Sequence, residues 1–268
     1  MGSTIAVDIA DSIATITLQR PASLNALTPE DYTAFANALR AIDKRDDVLV
    51  TVWQATGKWF CAGTDVRSSG GRGLTGELRD SFLQAVVRTT TDCGQAIYSH
   101  SKILVAALNG PNVGIAAALI GNFDFIYCMP NAWLSVPFTF LGIVAEGGSS
   151  ASFVNRMGLS KANEVLIWGK KKEAQELYEC GFINKILPLQ PTDAFHAAVR
   201  AIIVEDLRGL DPTALLVVKK LIRTGLTEKN NPDAVNLRES YAQAERFSSG
   251  VPGQQFLRIA RKEIKHKL

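Results

Sequence analysis

A chain of 268 residues, 47% of them apolar and 21% charged, has ample material for a buried interior, which excludes a peptide-sized scaffold, wholesale disorder, collagen and a coiled coil. Lysine and arginine number 29 against 26 acids, and a net charge of +3 provides no broad positive field for nucleic acid. The longest apolar stretch, near 103–108, is too short to span a bilayer.

In chain order, Ile5, Val7 and Ile9, then Ala14, Ile16 and Leu18, alternate on either side of Asp11-Ser12 and predict a hairpin with one buried face. Thr28-Pro29-Glu30-Asp31 supplies an N-cap, a proline in the first turn and early acids, and Tyr32, Phe35, Ala36, Leu39 and Ile42 follow at helical spacing. Val48–Trp53 reads as a strand, and the Gly- and Ser-rich stretch 68–73 as a loop. A helix is expected over 77–98. Ile103–Leu108 suits a strand covered on both faces, ending in the turn Asn109-Gly110-Pro111 ahead of a helix of small residues. Phe123, Phe125 and Tyr127 alternate as a strand, and helices are expected at 149–157, 161–168 and 173–180, with Gly158 and Gly181 closing the first and last. After a short strand at 183–187 the pattern is helical throughout. From Thr192 onward Phe195, Val199, Ile202 and Ile203, then Leu215, Val218 and Leu221, then Leu237, Tyr241 and Ala244, recur as the apolar positions of successive helices. Strands interleaved with helices thus give way to helices alone near residue 200, dividing the chain into an α/β core over 1–200 and a helical region over 201–268.

Cys61, Cys93, Cys128 and Cys180 lie far apart without a CxxC pair and read as reduced thiols. His100, His196 and His266 have no acidic or thiol partner at ligand spacing, so no metal is expected. The terminal His266-Lys267-Leu268 is related to the Ser-Lys-Leu peroxisomal signal, and the first residues form no Arg-rich amphipathic leader. Taken alone, the tripeptide is also a basic helix end that finishes in leucine.

Four segments resemble, in order, the motifs of the crotonase, or enoyl-CoA hydratase/isomerase, superfamily. They are Arg20-Pro21-Ala22-Ser23-Leu24-Asn25-Ala26-Leu27, Phe60-Cys61-Ala62-Gly63-Thr64-Asp65-Val66, Asn109-Gly110-Pro111-Asn112-Val113-Gly114-Ile115 and Leu141-Gly142-Ile143-Val144-Ala145-Glu146-Gly147-Gly148. The resemblance implies a spiral of ββα units, a helical C-terminal region that drives assembly into a trimer or hexamer, and acyl-CoA thioesters as substrates, with CoA part of the substrate and no separate cofactor. It also implies that Ala22 and Leu24, together with Ala62, Gly63, Asp65 and Val66, flank the CoA moiety. Gly114, Phe138 and Leu141 are expected to contact the substrate, and Phe138, Phe140, Leu141 and Val144 to line a pocket that excludes solvent around Glu146. Arg20, Arg67 and Arg72 are candidates for the phosphates, and equally ordinary surface charges. Lys170-Lys171-Lys172 reads as a solvated helix end, and Trp59 and Phe60 as core.

Family reactions pass through a thioester enolate, whose oxygen gains charge along the reaction path, so donors aimed at it lower the barrier selectively. By position the two donors are the backbone amides of Thr64 and Ile115. The adjacent glycines are also what any tight turn would use. Two glutamates that resemble one another across hydratases of the family are missing here, since Ala118 and Phe138 stand at their positions. Neither side chain can activate water. Glu146 instead occupies the position used by peroxisomal Δ3,Δ2-enoyl-CoA isomerases, although a Glu before Gly-Gly is elsewhere a common helix-start acid. One carboxylate suffices to carry a proton from C2 to C4, and burial is expected to raise its pKa toward that task. Asp65 is expected to orient its loop. The resulting expectation is a peroxisomal Δ3,Δ2-enoyl-CoA isomerase of β-oxidation. The alternatives are a dienoyl-CoA isomerase, an enoyl-CoA hydratase, or a noncatalytic acyl-CoA- or RNA-binding module.

Overall fold

The computed structural model describes residues 4–65 and 77–266. The hairpin forms as expected: β1 (Ile5–Ala10) and β2 (Ile13–Leu18) pair antiparallel, with Asp11 and Ser12 at positive φ in the turn. Thr28 caps α1 (Pro29–Asp43) through a capping box with Asp31, which also accepts the Thr4 amide and ties the helix to the start of the chain. The next strand, β3 (Val50–Ala55), begins and ends two residues later than Val48–Trp53.

The span 77–98 is helical, in three consecutive parts: α2 (Leu78–Ser81), a π-wound stretch at Phe82–Asp92, and α3 (Cys93–Tyr98). β4 (Ile103–Leu108) follows, then β5 (Asn112–Val113), α4 (Ile115–Leu119), β6 (Phe125–Cys128) and β7 (Trp133–Ser135). Phe123 precedes its strand and packs in the core instead. The helices expected at 149–157 and 161–168 are one element, α5 (Ser149–Leu166), broken locally at Gly158, whose φ of 76° and ψ of 160° are not helical. β8 (Lys172–Glu173), α6 (Ala174–Glu179) and the two-residue β9 (Lys185–Ile186) complete this part.

β1-β2-β3-β4-β6-β9 form one sheet, parallel after its opening hairpin, and β5-β7-β8 form a second. Parallel strands need cover on both faces, and the alternation of β3 supplies it. Trp53 points to one side, within 4.5 Å of the Phe35 ring and 5.0 Å of Phe60. Val50 and Val52 point to the other, where Phe195, Val199 and Ile203 of α7 (Thr192–Leu207) cover them. Residue 200 therefore lies within a helix that belongs to the sheet's packing.

Three helices remain: α8 (Pro212–Lys229), α9 (Pro232–Ser248) and α10 (Val251–Ala260). Their inner faces correct the sequence reading. On α8, Val218 and Leu221 are exposed at 53% and 65%, and the buried side chain is Lys219, whose ammonium lies 2.8 Å from the Asp124 carboxylate. On α9, Leu237 and Tyr241 face outward, while Asn236, Glu239, Ser240 and Gln243 form the buried stripe, joined by Ala244. Apolar periodicity misidentified these faces because both helices dock through polar contacts. Lys172 is a further correction. It is buried and bonded to Glu164 and Glu176, so the lysine run is not wholly solvated. No helix among the described residues is long and apolar enough to cross a membrane.

Candidate active site

Two asparagines from the sequence motifs organise the loop that precedes the site. Asn25 Nδ2 donates to the carbonyls of Thr56 and Trp59 at 2.8 Å, and Asn109 Nδ2 donates to that of Gly57 at 2.7 Å. Arg20 closes the arrangement, donating to the Ala26 carbonyl and pairing with Asp65 at 2.8 Å. Asp65 thus orients its loop, and the guanidinium of Arg20 is engaged within the chain. Leu24 and Asn25, at φ of 52° and 55°, form the tight bend that brings this segment against 61–65. Ala22 and Leu24 are exposed there, and the Ala62 amide donates to the Leu24 carbonyl at 3.0 Å.

The two glycine turns meet. Gly63 has φ of 89° and Gly114 φ of 66°, a region that favours glycine. A methyl group on Gly63 would stand 3.1 Å from the Val113 carbonyl oxygen and 3.7 Å from Gly114 Cα, so contact this close also requires a missing side chain. The Val113 amide donates to the Cys61 carbonyl and the Gly114 amide to that of Ser135, which fixes the approach. Immediately after the glycines come the amides of Thr64 and Ile115, neither of which has an acceptor among the described residues. Ile115 opens α4, whose first turn leaves N–H groups unpaired.

Glu146 lies in the loop before α5, whose neighbouring Gly147 packs on α4. A methyl group there would lie 3.3 Å from Ile115 Cδ1 and 3.4 Å from Ala118 Cβ. Ala118 is fully buried under this contact. Glu146 is itself buried, at 7% exposure. Its Oε2 accepts from the Thr90 hydroxyl at 2.7 Å and from Gln243 Nε2 at 3.3 Å, while no protein donor among the described residues reaches Oε1. Burial raises its pKa to about 7, the Glu239 charge adds to the rise, and the Thr90 and Gln243 hydrogen bonds oppose it. The second carboxylate, Glu239, is committed elsewhere: its oxygens accept the amides of Gly148 and Ser150 at 2.6 and 2.8 Å. Tyr32 links the two halves of the site. Its hydroxyl is 2.6 Å from Thr64 Oγ1, and burial together with the nearby Glu146 charge pushes its pKa well above the ordinary value.

Of the residues expected at the site, Glu146, Thr64, Ile115, Gly63 and Gly114 converge on one region. Phe138 is buried in the core and Leu141 is half-buried, but Phe140 packs its ring on His266 at 4.8 Å, so the polar partners Thr90 and Gln243, instead of Phe140, surround the carboxylate. Val66, Arg67 and Arg72 lie outside the described residues, as do Lys267 and Leu268. Thr90, Glu239 and Gln243 were missed by the sequence reading. A signal for two of them exists, because Asn236, Glu239, Ser240 and Gln243 fall at i, i+3, i+4 and i+7 along α9. No group of three His, Cys, Asp or Glu side chains among the described residues is placed to hold a metal ion.

The comparisons name the class to which this α/β core belongs, with its helical C-terminal region and two glycine turns beside a buried carboxylate. Residues 8–249 match the enoyl-CoA hydratase/isomerase family model, and the chain belongs to that family. It is 38% identical to a Δ(3,5)-Δ(2,4)-dienoyl-CoA isomerase of Pyricularia oryzae, with both chains covered completely. It is 30% identical to the 3,2-trans-enoyl-CoA isomerase of Saccharomyces cerevisiae, over 94% of this chain and 92% of that one. A mouse relative, enoyl-CoA delta isomerase 3, peroxisomal, is 30% identical over 91% of this chain and 74% of its own. Among solved structures, an enoyl-CoA hydratase/isomerase from Pseudoalteromonas atlantica superposes with a TM-score of 0.83 at 25% identity, covering 99% of this chain and all of that one.

Proposed function

We propose that the chain is a Δ3,Δ2-enoyl-CoA isomerase, converting a 3-enoyl-CoA to the trans-2-enoyl-CoA in the oxidation of unsaturated fatty acids. In this reading the Glu146 carboxylate removes a proton from C2. The C2–H electrons become the C1–C2 π bond of a dienolate as the thioester C=O π pair moves onto oxygen, and the C2–C3 double bond forms when C4 is protonated and the C=O is restored. The amides of Thr64 and Ile115 hold that oxygen, and donors fixed in advance stabilise charge that appears only as the reaction proceeds. The carboxyl group then delivers the proton to C4, so no atom is gained or lost. A pKa of about 7 lets the same group accept and return a proton near neutrality.

The observation that carries this reading is a single uncommitted carboxylate oxygen, Glu146 Oε1, in a buried site. Hydration requires a second group to activate water, and Ala118 and Phe138 provide none. A 3,5- to 2,4-dienoyl shift moves the proton from C2 to C6, beyond the reach of one carboxyl group, and Glu239 already accepts two backbone amides. The dienoyl reaction is nevertheless the second reading, because the Pyricularia relative carries that name. Supplying a 3-enoyl-, a 3,5-dienoyl- and a 2-enoyl-CoA separately distinguishes them. Conjugation of the first alone, reduced about 100-fold or more in Glu146→Gln with acyl-CoA binding retained, is the expected result. Turnover of the dienoyl substrate alone would overturn it.

Two further parts of the proposal concern location and assembly. The exposed apolar residues Val217, Val218, Leu221 and Ile222 on α8 support a homo-oligomer, a trimer or hexamer. His266-Lys267-Leu268 would address the chain to the peroxisome through an import receptor, in keeping with the peroxisomal mouse relative. CoA enters as part of the substrate, and no separate cofactor or nucleic acid takes part.

A further inference from the structure

α9 reaches the segment carrying Glu146 through Gln243 and Glu239. Gln243 Oε1 accepts the Val144 amide at 3.0 Å, and because a backbone N–H can only donate, the Gln243 amide is oriented with its NH2 toward Glu146 Oε2. Glu239 receives the amides of Gly148 and Ser150 on the far side of the same residue. The loop is therefore bracketed, and the carboxylate is held by one oxygen only.

We infer that Gln243 and Glu239 are positioning residues for Glu146, fixing its carboxylate so that Oε1 alone faces the substrate and serves both C2 and C4. The inference rests on Glu146 being the base. A carboxylate free to rotate would present either oxygen, and proton return to C4 would compete with loss of alignment. The same contacts act on the acidity of Glu146 in opposite senses. Gln243 donates to the charged form and favours it, whereas the Glu239 charge disfavours it. The titratable groups bearing on Glu146 are Glu239 from α9 and Tyr32 from α1; Thr90, from the π-wound stretch, contributes a neutral hydroxyl.

The test measures the steady-state rate with a 3-enoyl-CoA across pH for the full-length Gln243→Leu and Glu239→Gln variants, alongside Glu146→Gln. Gln243→Leu is expected to lower kcat about ten-fold while leaving KM within about two-fold, because a hydrogen bond to a charged group is lost but the binding surface is not. Its acid limb of kcat should move to higher pH, and that of Glu239→Gln to lower pH. Movement in opposite directions is what a purely structural role would not produce. If Gln243→Leu does not fold, the Glu239→Gln limb alone decides. Unmoved limbs in the folded variants, with Glu146→Gln inactive, would overturn the inference and leave the base in place. An active Glu146→Gln would instead remove the base and the inference together.

Discussion

At the scale of single residues, Glu146 combines a buried carboxyl group with a pKa near 7, and the two facts have a stability consequence. A carboxylate whose folded pKa lies above its unfolded value of 4.5 favours the folded state fully only below that value. The advantage is lost as pH rises through 7, where the buried group must ionise. Glu146→Gln is therefore expected to be more stable than the parent chain by roughly 3 kcal/mol at pH 8, with the difference vanishing near pH 4. Urea unfolding at both pH values measures it, and an equal stability at pH 8 would contradict the ionisation assigned here. The residue itself was legible in the sequence, since a local motif placed it. Its holders were not: Thr90 lies 56 positions before it and Gln243 97 after it, and no local pattern connects such distant partners. Ala118 was also legible, and the structure adds that it is fully buried beside Gly147.

Among the elements, strands and early helices followed their sequence signals because their burial is apolar and periodic. The hairpin, the capping box of α1 and the doubly covered β4 all formed where alternation, capping chemistry and a continuous apolar run placed them. α8 and α9 did not present their expected faces, because hydrophobic periodicity is silent about a helix that docks by charge and amide groups. On α8 the docking centre is Asp124, which accepts the Leu104 amide at 2.7 Å and pairs with Lys219 at 2.8 Å and Arg223 at 3.0 Å. Burial lowers the Lys219 pKa to about 8, while the Asp124 charge resists that fall. Removing one partner of a buried pair leaves the other charge uncompensated, so Asp124→Asn is expected to destabilise the chain by about 3 kcal/mol. A denaturation midpoint unchanged from the parent would show that the pair contributes nothing to the docking of α8.

For the whole molecule, the last described residue packs back on the fold: His266 lies against the half-buried Phe140, and a methyl group on Gly169 would stand 3.2 Å from its Nε2. The peroxisomal proposal predicts that a fluorescent protein fused after Leu268 abolishes import while the same fusion ahead of Met1 permits it. Equal import of both fusions, seen by microscopy, would discard the tripeptide as the address. The placement of Gln243 and Glu239 on α9 also bears on biosynthesis. Every strand among the described residues is complete by residue 186, yet Glu239 and Gln243, which bracket the Glu146 loop, emerge from the ribosome more than fifty residues later. A nascent chain halted between these points has its sheet sequence in full and its Glu146 carboxylate without the Gln243 contact, so on the proposed reading the chemistry waits for α9 to be made.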